Sequence, residues 1–448
     1  MTDTQVYSTA MRIAFATHMN SGIAWTLLEE FTTMIRITAY FMLLLSASGA
    51  FAADLPSHPL TLGEALSLAL QNNPALRSVR AHASANQAGE VTAGLRPNPI
   101  FSSANQDFDV FQPSKLDPAN AQEFTNSLAW TFERGGKRDA RIQDSRIASQ
   151  VAQAGVNDSE RQLKLQVKLA FVNLMLNTET LKLAEESLLE YGQIIEANKL
   201  RWQAGGISET DFDRIKIEEA RFQSDMLSAR TAVLQARSQL ATLLGVVDSS
   251  KLEAVGDLAP PAISSTLDEL RQGALVRRPD YIGALRSTAK AEADTRLARA
   301  NGAADLTVSP EYKRNGPDNT VGVTLSIPVR IFDRNQGEKL RAARDLESSR
   351  FAEQAARVQV LADVQQTWDG YQAAIARQKL YSDDYLKRSQ SVLERMTFSY
   401  QHGAASLLDY LDAVRSHRDV SLGALTANAQ ALSAIHQLSF ASATELLP

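Results

Sequence analysis

Two patterns of apolar and polar positions alternate along this chain. No proline lies between Pro118 and Pro260, or between Pro328 and Pro448, and both stretches are rich in Ala, Leu, Gln, Arg and Glu, the good helix formers. Leu361, Val364, Trp368, Tyr371 and Ile375 recur at a 3,4,3,4 spacing that predicts a coiled-coil-like seam. From Lys137 to about Gln203 the only glycines are Gly155 and Gly192. A continuous helix there would run on the order of 100 Å at about 1.5 Å per residue. Ahead of each stretch the period changes to two. Phe124, Asn126, Leu128, Trp130 and Phe132 alternate with Thr125, Ser127, Ala129 and Thr131, and Val321, Val323, Leu325, Ile327, Val329 and Ile331 alternate with small or polar residues. Such patterning suits a strand with one face in lipid and one in water; a small soluble sheet capping a coiled coil is the alternative. Less regular partners precede them, giving expected strands at about 99–111 and 123–133, then 304–313 and 320–331, joined by the polar turns QPSKLDPANA and RNGPDN.

The long helices turn at a motif written twice. RWQAGGISETDFDRI, starting at Arg201, returns 198 positions later as SYQHGAASLLDYLDA, starting at Ser399. Trp202 matches Tyr400, Gly205 matches Gly403, Ser208 matches Ser406, and Asp211-Phe212 match Asp409-Tyr410. Glycine in a left-handed conformation ends the arriving helix, and Ser with Asp three residues on makes a capping-box-like start for the departing one. The chain therefore reads as a duplication: a first repeat over 53–255 with a helical hairpin at about 137–245, and a second over 256–448 with a hairpin at about 337–446.

Composition narrows the class. A 44% hydrophobic content over 448 residues supports a sizeable core, and a formal charge of −5 with interspersed signs gives no footprint for nucleic acid. The absence of cysteine removes thiolate chemistry, disulfides and a lipoprotein anchor. From Met34, MIRITAYFMLLLSASGAFAAD carries a basic residue, an apolar stretch and a small-x-small site at Ala50-Phe51-Ala52, so residues 34–52 read as a secretory signal and 1–33 as an over-extended gene start. Four strands cannot close a barrel, and an open edge is intolerable in lipid, so a membrane sheet of this size must be pooled between protomers.

With LTLGEALSLALQNNPALRSVRA near the mature start, two strand pairs, two long hairpins and the duplicated tips, the chain resembles the TolC-like outer-membrane factors over essentially its whole mature length. GLRPNPIFS and ERGGKRDARI are similar to the CzcC-like branch associated with heavy-metal efflux. The resemblance implies a mainly α fold with a transmembrane β part: a homotrimer whose four strands per chain build a twelve-stranded outer-membrane barrel, continued by a long periplasmic α-helical barrel. It implies an export duct rather than an enzyme, with no cofactor, working with a periplasmic membrane-fusion adaptor and a proton-driven inner-membrane pump of the RND type. Multidrug efflux or type I secretion through the same fold, and a periplasmic coiled-coil scaffold that never inserts, are the alternatives.

By the tip motif the resemblance carries a periplasmic gate to Tyr400, Asp409 and Asp412, with Asp211 as counterpart in the first repeat. Gly205, Gly206, Ser208, Gly403, Ala404 and Ser406 become adaptor-facing tips. Turn and capping chemistry alone would also ask for these glycines, serines and first-turn aspartates. Ala405 stands where the family's basic gating partner is expected. His18, His58, His82, His402, His417 and His436 show no metal-ligand spacing, and GGKR at Gly135–Arg138 lacks the flanking residues of a phosphate loop, so no catalytic or metal set is expected.

Overall fold

The computed structural model describes residues 58–106 and 123–447. The expected gene start and signal segment, the end of the first expected strand (107–111) and the turn QPSKLDPANA lie outside the described residues. The duplication is visible element by element. Helix α1 (Leu62–Asn72) and helix α5 (Leu267–Arg277) are both 11 residues long. Each opens with a reciprocal capping box, Thr61 with Glu64 and Thr266 with Glu269. Each is followed by a helix with proline in its first turn, α2 (Pro74–Gly94) and α6 (Pro279–Ala300), where the missing N–H has no partner to lose.

The strands then pair as one antiparallel sheet in the order β1 (Ile100–Gln106), β2 (Glu123–Phe132), β3 (Leu306–Asn315), β4 (Asp318–Ser326). The central β2–β3 ladder, from Glu123↔Asn315 to Phe132↔Leu306, joins the repeats. Both β1 and β4 are free edges, and Phe101, Trp130, Phe132, Val321, Val323 and Leu325 are exposed. The strand expected over 320–331 stops at Ser326. Its partner β3 begins at Leu306 and their last pair is Thr307↔Ser326, so the continuing alternation of Ile327, Val329 and Ile331 has no strand of its own chain to bond. These three side chains stay exposed.

Two glycines turn β2 into the first shaft helix, α3 (Lys137–Gln203, 67 residues). Gly135 and Gly136 both take positive φ, 71° and 69°. Lys137 pairs with Asp305 at 2.7 Å, and the same carboxylate accepts from the Arg134 backbone at 3.0 Å, so the junction is stitched to the start of β3. Arg141 closes a bidentate pair with Glu133 beside it, at 2.7 and 3.2 Å. Helix α3 returns as α4 (Glu209–Leu244). In the second repeat Asn335, at φ 62°, stands where Gly136 does and opens α7 (Gln336–Leu380).

In the second hairpin, expected at about 337–446, the arriving helix is interrupted. A five-residue π-helical turn, Tyr381–Tyr385, separates α7 from α8 (Leu386–Gln401), and the return helix α9 runs Leu407–Ser442. The interruption accompanies a long-range contact: the Tyr381 ring occupies the place of a Cβ on Gly423, its Cε1 only 2.7 Å from that position. Of the expected seam, Val364 and Tyr371 are buried against Ile435 and Leu438 of α9 and Leu270 of α5, with Trp368 and Ile375 packed at the margin. α4 and α9 are each 36 residues long, so the two tips stand at matching distances from the end of their return helices.

His436 in α9 is 2% exposed and neither ring nitrogen has a hydrogen-bond partner. Burial, and Lys168 beside it, hold its imidazole down to about 4 from an ordinary 6.5. The unfolded chain takes up the proton first, so stability is full above about 6.5 and falls as pH drops toward 4, by about 3 kcal/mol in all. Urea unfolding across that range should show His436→Met flattening this slope; an unchanged slope would place the acid sensitivity elsewhere. At the strand–helix junction, Gly135→Ala forces a side chain into a positive φ with its Cβ 2.5 Å from that of Ala303. It should cost about 1–3 kcal/mol from the backbone alone. Gly136→Asn, at an open position matched by Asn335, should leave the melting temperature near wild type.

Candidate functional site at the hairpin tips

Both turns follow one construction. The Gly205 N–H donates to the Trp202 carbonyl and the Gly206 N–H to that of Arg201, while Gly403 and Ala404 donate to Tyr400 and Ser399. Gly205 and Gly403 take φ of 75° and 73°, the left-handed cap read from sequence. Ala404 takes the place of Gly206 in the second repeat, whereas a Cβ on Gly206 would come within 3.2 Å of the Arg201 carbonyl oxygen. Ser208 and Ser406 cap the return helices, accepting from the Asp211 and Asp409 N–H at 3.1 and 3.2 Å. The returning bond differs from a true capping box. Each hydroxyl donates to the aspartate Oδ2, at 2.8 and 2.7 Å, because Asp is one methylene too short to reach back to the cap's own N–H.

The aromatic members of the motif explain its fixed spacing. Trp202 stacks on Phe212 with centroids 5.0 Å apart and planes within 1°, and Tyr400 stacks on Tyr410 at 5.0 Å and 5°. Each stack ties the arriving helix to the departing one across its turn. The two copies then diverge. Trp202 is 38% exposed, whereas Tyr400 and Tyr410 are buried with Tyr191, Ile195, Ile215 and Phe222 in a cluster shared by both hairpins.

Polar links join the hairpins around that cluster. Burial raises the Tyr400 phenol, keeping it protonated, and it donates to Asn198 Oδ1 at 2.5 Å. Asn198 is oriented for this because its amide nitrogen already donates to the Ile194 carbonyl. Arg201 lies 5.3 Å over the Tyr400 ring. Arg415 forks onto Glu218 at 2.9 and 2.5 Å, and Arg418 reaches Asp225 at 2.6 Å. The Arg415 hydrogen bonds hold the Glu218 carboxyl below the usual range. Behind these links an inter-hairpin cleft of about 580 Å³ is lined by Tyr191, Asn198, Arg201, Tyr400, His417 and Arg418.

Of the residues singled out for the gate, Asp409 and Asp412 are exposed on the first turns of α9, Asp211 is half-buried, and Tyr400 faces the inter-hairpin core. Ala405 brings no charge; Arg201 lies over the Tyr400 ring, Arg214 pairs with Asp211 and Arg415 is held by Glu218. Asn198, Glu218, Asp225, Arg415 and Arg418 carried no local signal, since each pairs only once the register between hairpins is known. Among the described residues, no group of three or more histidines and carboxylates is placed to hold a metal ion, and no helix is long and apolar enough to cross a membrane.

A family model described as outer membrane efflux protein matches residues 65–246 and 270–444, one segment per repeat. The chain belongs to the outer membrane efflux protein family. Members of this family are export channels, not enzymes. The cobalt-zinc-cadmium resistance protein CzcC of Cupriavidus metallidurans is 28% identical over 80% of this chain and 84% of its own. The pyoverdine export outer membrane protein OpmQ of Pseudomonas putida is 26% identical over 79% of this chain and 80% of its own. CusC, a cation efflux system protein of Escherichia coli K12, is 24% identical over 67% of this chain and 69% of its own. A crystal structure of CusC superposes with a TM-score of 0.69 at 20% identity, covering 85% of this chain and 91% of that one, so the efflux-protein fold of sheet and helical shaft is shared.

The Glu218 side chain is 7% exposed, so Arg415→Ala would remove its hydrogen bonds and leave Arg221, at 3.7 Å, as the remaining ion-pair partner of a buried carboxylate. The loss should be about 2–3 kcal/mol, against less than about 1 kcal/mol for Arg418→Ala at its more exposed partner. The double variant Arg415→Met/Glu218→Gln should recover most of the loss in thermal unfolding. Equal effects of the two single arginine changes would contradict this ranking.

Proposed function

We propose that this efflux protein is the outer-membrane duct of a tripartite export system for heavy-metal cations. The observation that carries the reading is the sheet, four strands with two open edges and exposed apolar side chains at the head of a shaft about 100 Å long. Unpaired edge groups are costly in hydrocarbon, and pooling three chains into a twelve-stranded barrel removes every edge. Below the barrel the shafts form the periplasmic tunnel, and the tips at Gly205, Gly206, Ser208, Gly403, Ala404 and Ser406 meet a membrane-fusion adaptor that leads to an RND-type pump driven by protons. The similarity to CzcC over most of both chains favours metal cations as the cargo; the similarity to OpmQ keeps a non-metal cargo as the second reading.

In the trimer Asp409 and Asp412, exposed about one helical turn apart, form two carboxylate rings that favour cations and bind divalent ions at the constriction. The position of Asp412 corresponds to Arg214 in the first hairpin, so that hairpin offers no second copy of the ring. Asp211 contributes less, being engaged by its serine and by Arg214 at 3.7 Å. Tyr400 acts from behind, fixing the second hairpin to the first.

A strain lacking the gene should become sensitive to zinc, cobalt, cadmium, nickel or copper and retain its tolerance of antibiotics and detergents. Drug-only sensitivity would keep the duct and reject the metal cargo. In planar bilayers, Asp409→Ala with Asp412→Ala should raise conductance or weaken block by divalent cations; unchanged conductance and block would dismiss the rings.

A further inference from the structure

The register of the sheet assigns every strand residue to one of two faces. Phe101, Leu128, Trp130, Val308, Val323 and Leu325 fall on one of them, the face that meets lipid in a closed barrel. The other face lines the lumen and is built mostly from serine and threonine, with Thr131 and Thr307 sharing a hydroxyl hydrogen bond at 3.1 Å. Five charged residues lie within the described strands: Glu123, Glu311, Lys313, Arg314 and Asp318. Arg314 is on the apolar face, its Nε donating to the Gly316 carbonyl of the hairpin turn at 3.3 Å. Lys313 and Glu123 neutralise each other on the lumen face at 2.6 Å. Asp318 stands in the last pair before the turn, Asn315↔Asp318, open to bulk water.

Glu311 differs from all four. It is half-buried on the lumen face, and among the described residues it has neither an ion-pair nor a hydrogen-bond partner. Ser102, Ser127, Glu311 and Gly322 form one row across the sheet, so the glutamate is the one large side chain of its row. Glycine weakens the interior of a strand and marks a place that something else approaches closely. Here the glutamate approaches: a Cβ on Gly322 would lie 3.1 Å from Glu311 Oε1 and 3.3 Å from its Cγ. The chain therefore leaves room on β4 for this carboxylate and supplies it with no counter-ion.

We propose that Glu311 sets the charge selectivity of the barrel, its three copies holding negative charge in the lumen wall and favouring small cations over anions on their way out. On the trimeric outer-membrane reading, on which this rests, twelve strands about 4.8 Å apart and tilted about 40° close at a backbone radius of about 12 Å. A carboxylate lying on that wall is roughly one Debye length, about 8 Å in physiological salt, from the axis. The low-dielectric wall focuses its field into the water, so no path through the barrel escapes it. Glu311 is four residues from Asn315, the end of β3, and so about 13 Å along the strand from the rim, deeper than the bulk solution screens.

The chain has no cysteine, so single introduced cysteines report on chosen points of the wall. The test uses the full chain in lipid vesicles and a pair of water-soluble thiosulfonate reagents of similar size, one cationic and one anionic. Ser127→Cys, opposite Glu311, should react, and Val323→Cys on the apolar face should not. At Ser127→Cys the cationic reagent should be favoured several-fold over the anionic one, relative to the same pair acting on a free thiol. Glu311→Gln should abolish that preference, as should salt near 1 M, where the screening length falls to about 3 Å. Removing the neutral pair with Glu123→Gln/Lys313→Met should leave it in place. A preference unchanged by Glu311→Gln overturns the proposal and leaves the duct standing. Lack of reaction at Ser127→Cys means that this face does not line water and overturns it as well. Val323 is 66% exposed in the single chain, so reaction at both cysteines means a sheet outside lipid, which overturns the duct reading and this proposal together.

Discussion

An antiparallel sheet of four strands with both edges open cannot rest alone in hydrocarbon, and the rest of this chain is organised around that fact. The edge groups of β1 and β4 need partners that the chain does not own. The early end of β4 expresses the same constraint. Its apolar alternation runs on to Ile331, yet pairing stops where β3 starts, so the sequence is written for a neighbour that the single chain lacks. The junction below has to hold the sheet at a fixed angle to two shafts. It does so with left-handed backbone at Gly135, Gly136 and Asn335 and with the Lys137–Asp305 pair that links one repeat to the other.

Duplication supplies the geometry, and departures from it locate the specialised parts. Capping boxes, helix-opening prolines, strand pairs and 36-residue return helices are repeated. The stacks at the tips are also repeated, but one is exposed and the other is buried in the shared core. Arg415 and Arg418 belong to the second hairpin and their carboxylates to the first, so the links cannot be symmetric. The repeats thus provide two equal arms, and unequal side chains decide how the arms are joined.

This division also sets what could be read from sequence. Features decided by residues close in the chain were legible: the left-handed glycines, the serine caps, the period-two strands and the order of both repeats. Features decided by register between distant segments were not. Nothing near Tyr400 announces Asn198 as its acceptor, and Glu218 looks like any surface glutamate until α9 places Arg415 beside it. The π turn was invisible for the same reason, since Tyr381 meets its glycine 42 positions away. Tyr400 could be found by motif, but its burial could not, because Trp202 has the same local pattern and the opposite exposure.

The contrast between the two shafts carries the mechanical consequence. The first arriving helix is unbroken over 67 residues, whereas the second is interrupted at Tyr381–Tyr385, level with the glycine on its return helix. Above that level an apolar cluster around Val364, Tyr371 and Ile435 holds α7 and α9 together. Below it, the second hairpin is tied to the first by one phenol, two arginines and the tip cluster. The phenol and arginine links exchange with water at modest net cost, while the close-packed clusters above and at the tips do not. Any rearrangement of the tips therefore begins at polar contacts that can be made twice, once with the neighbouring hairpin and once with solvent.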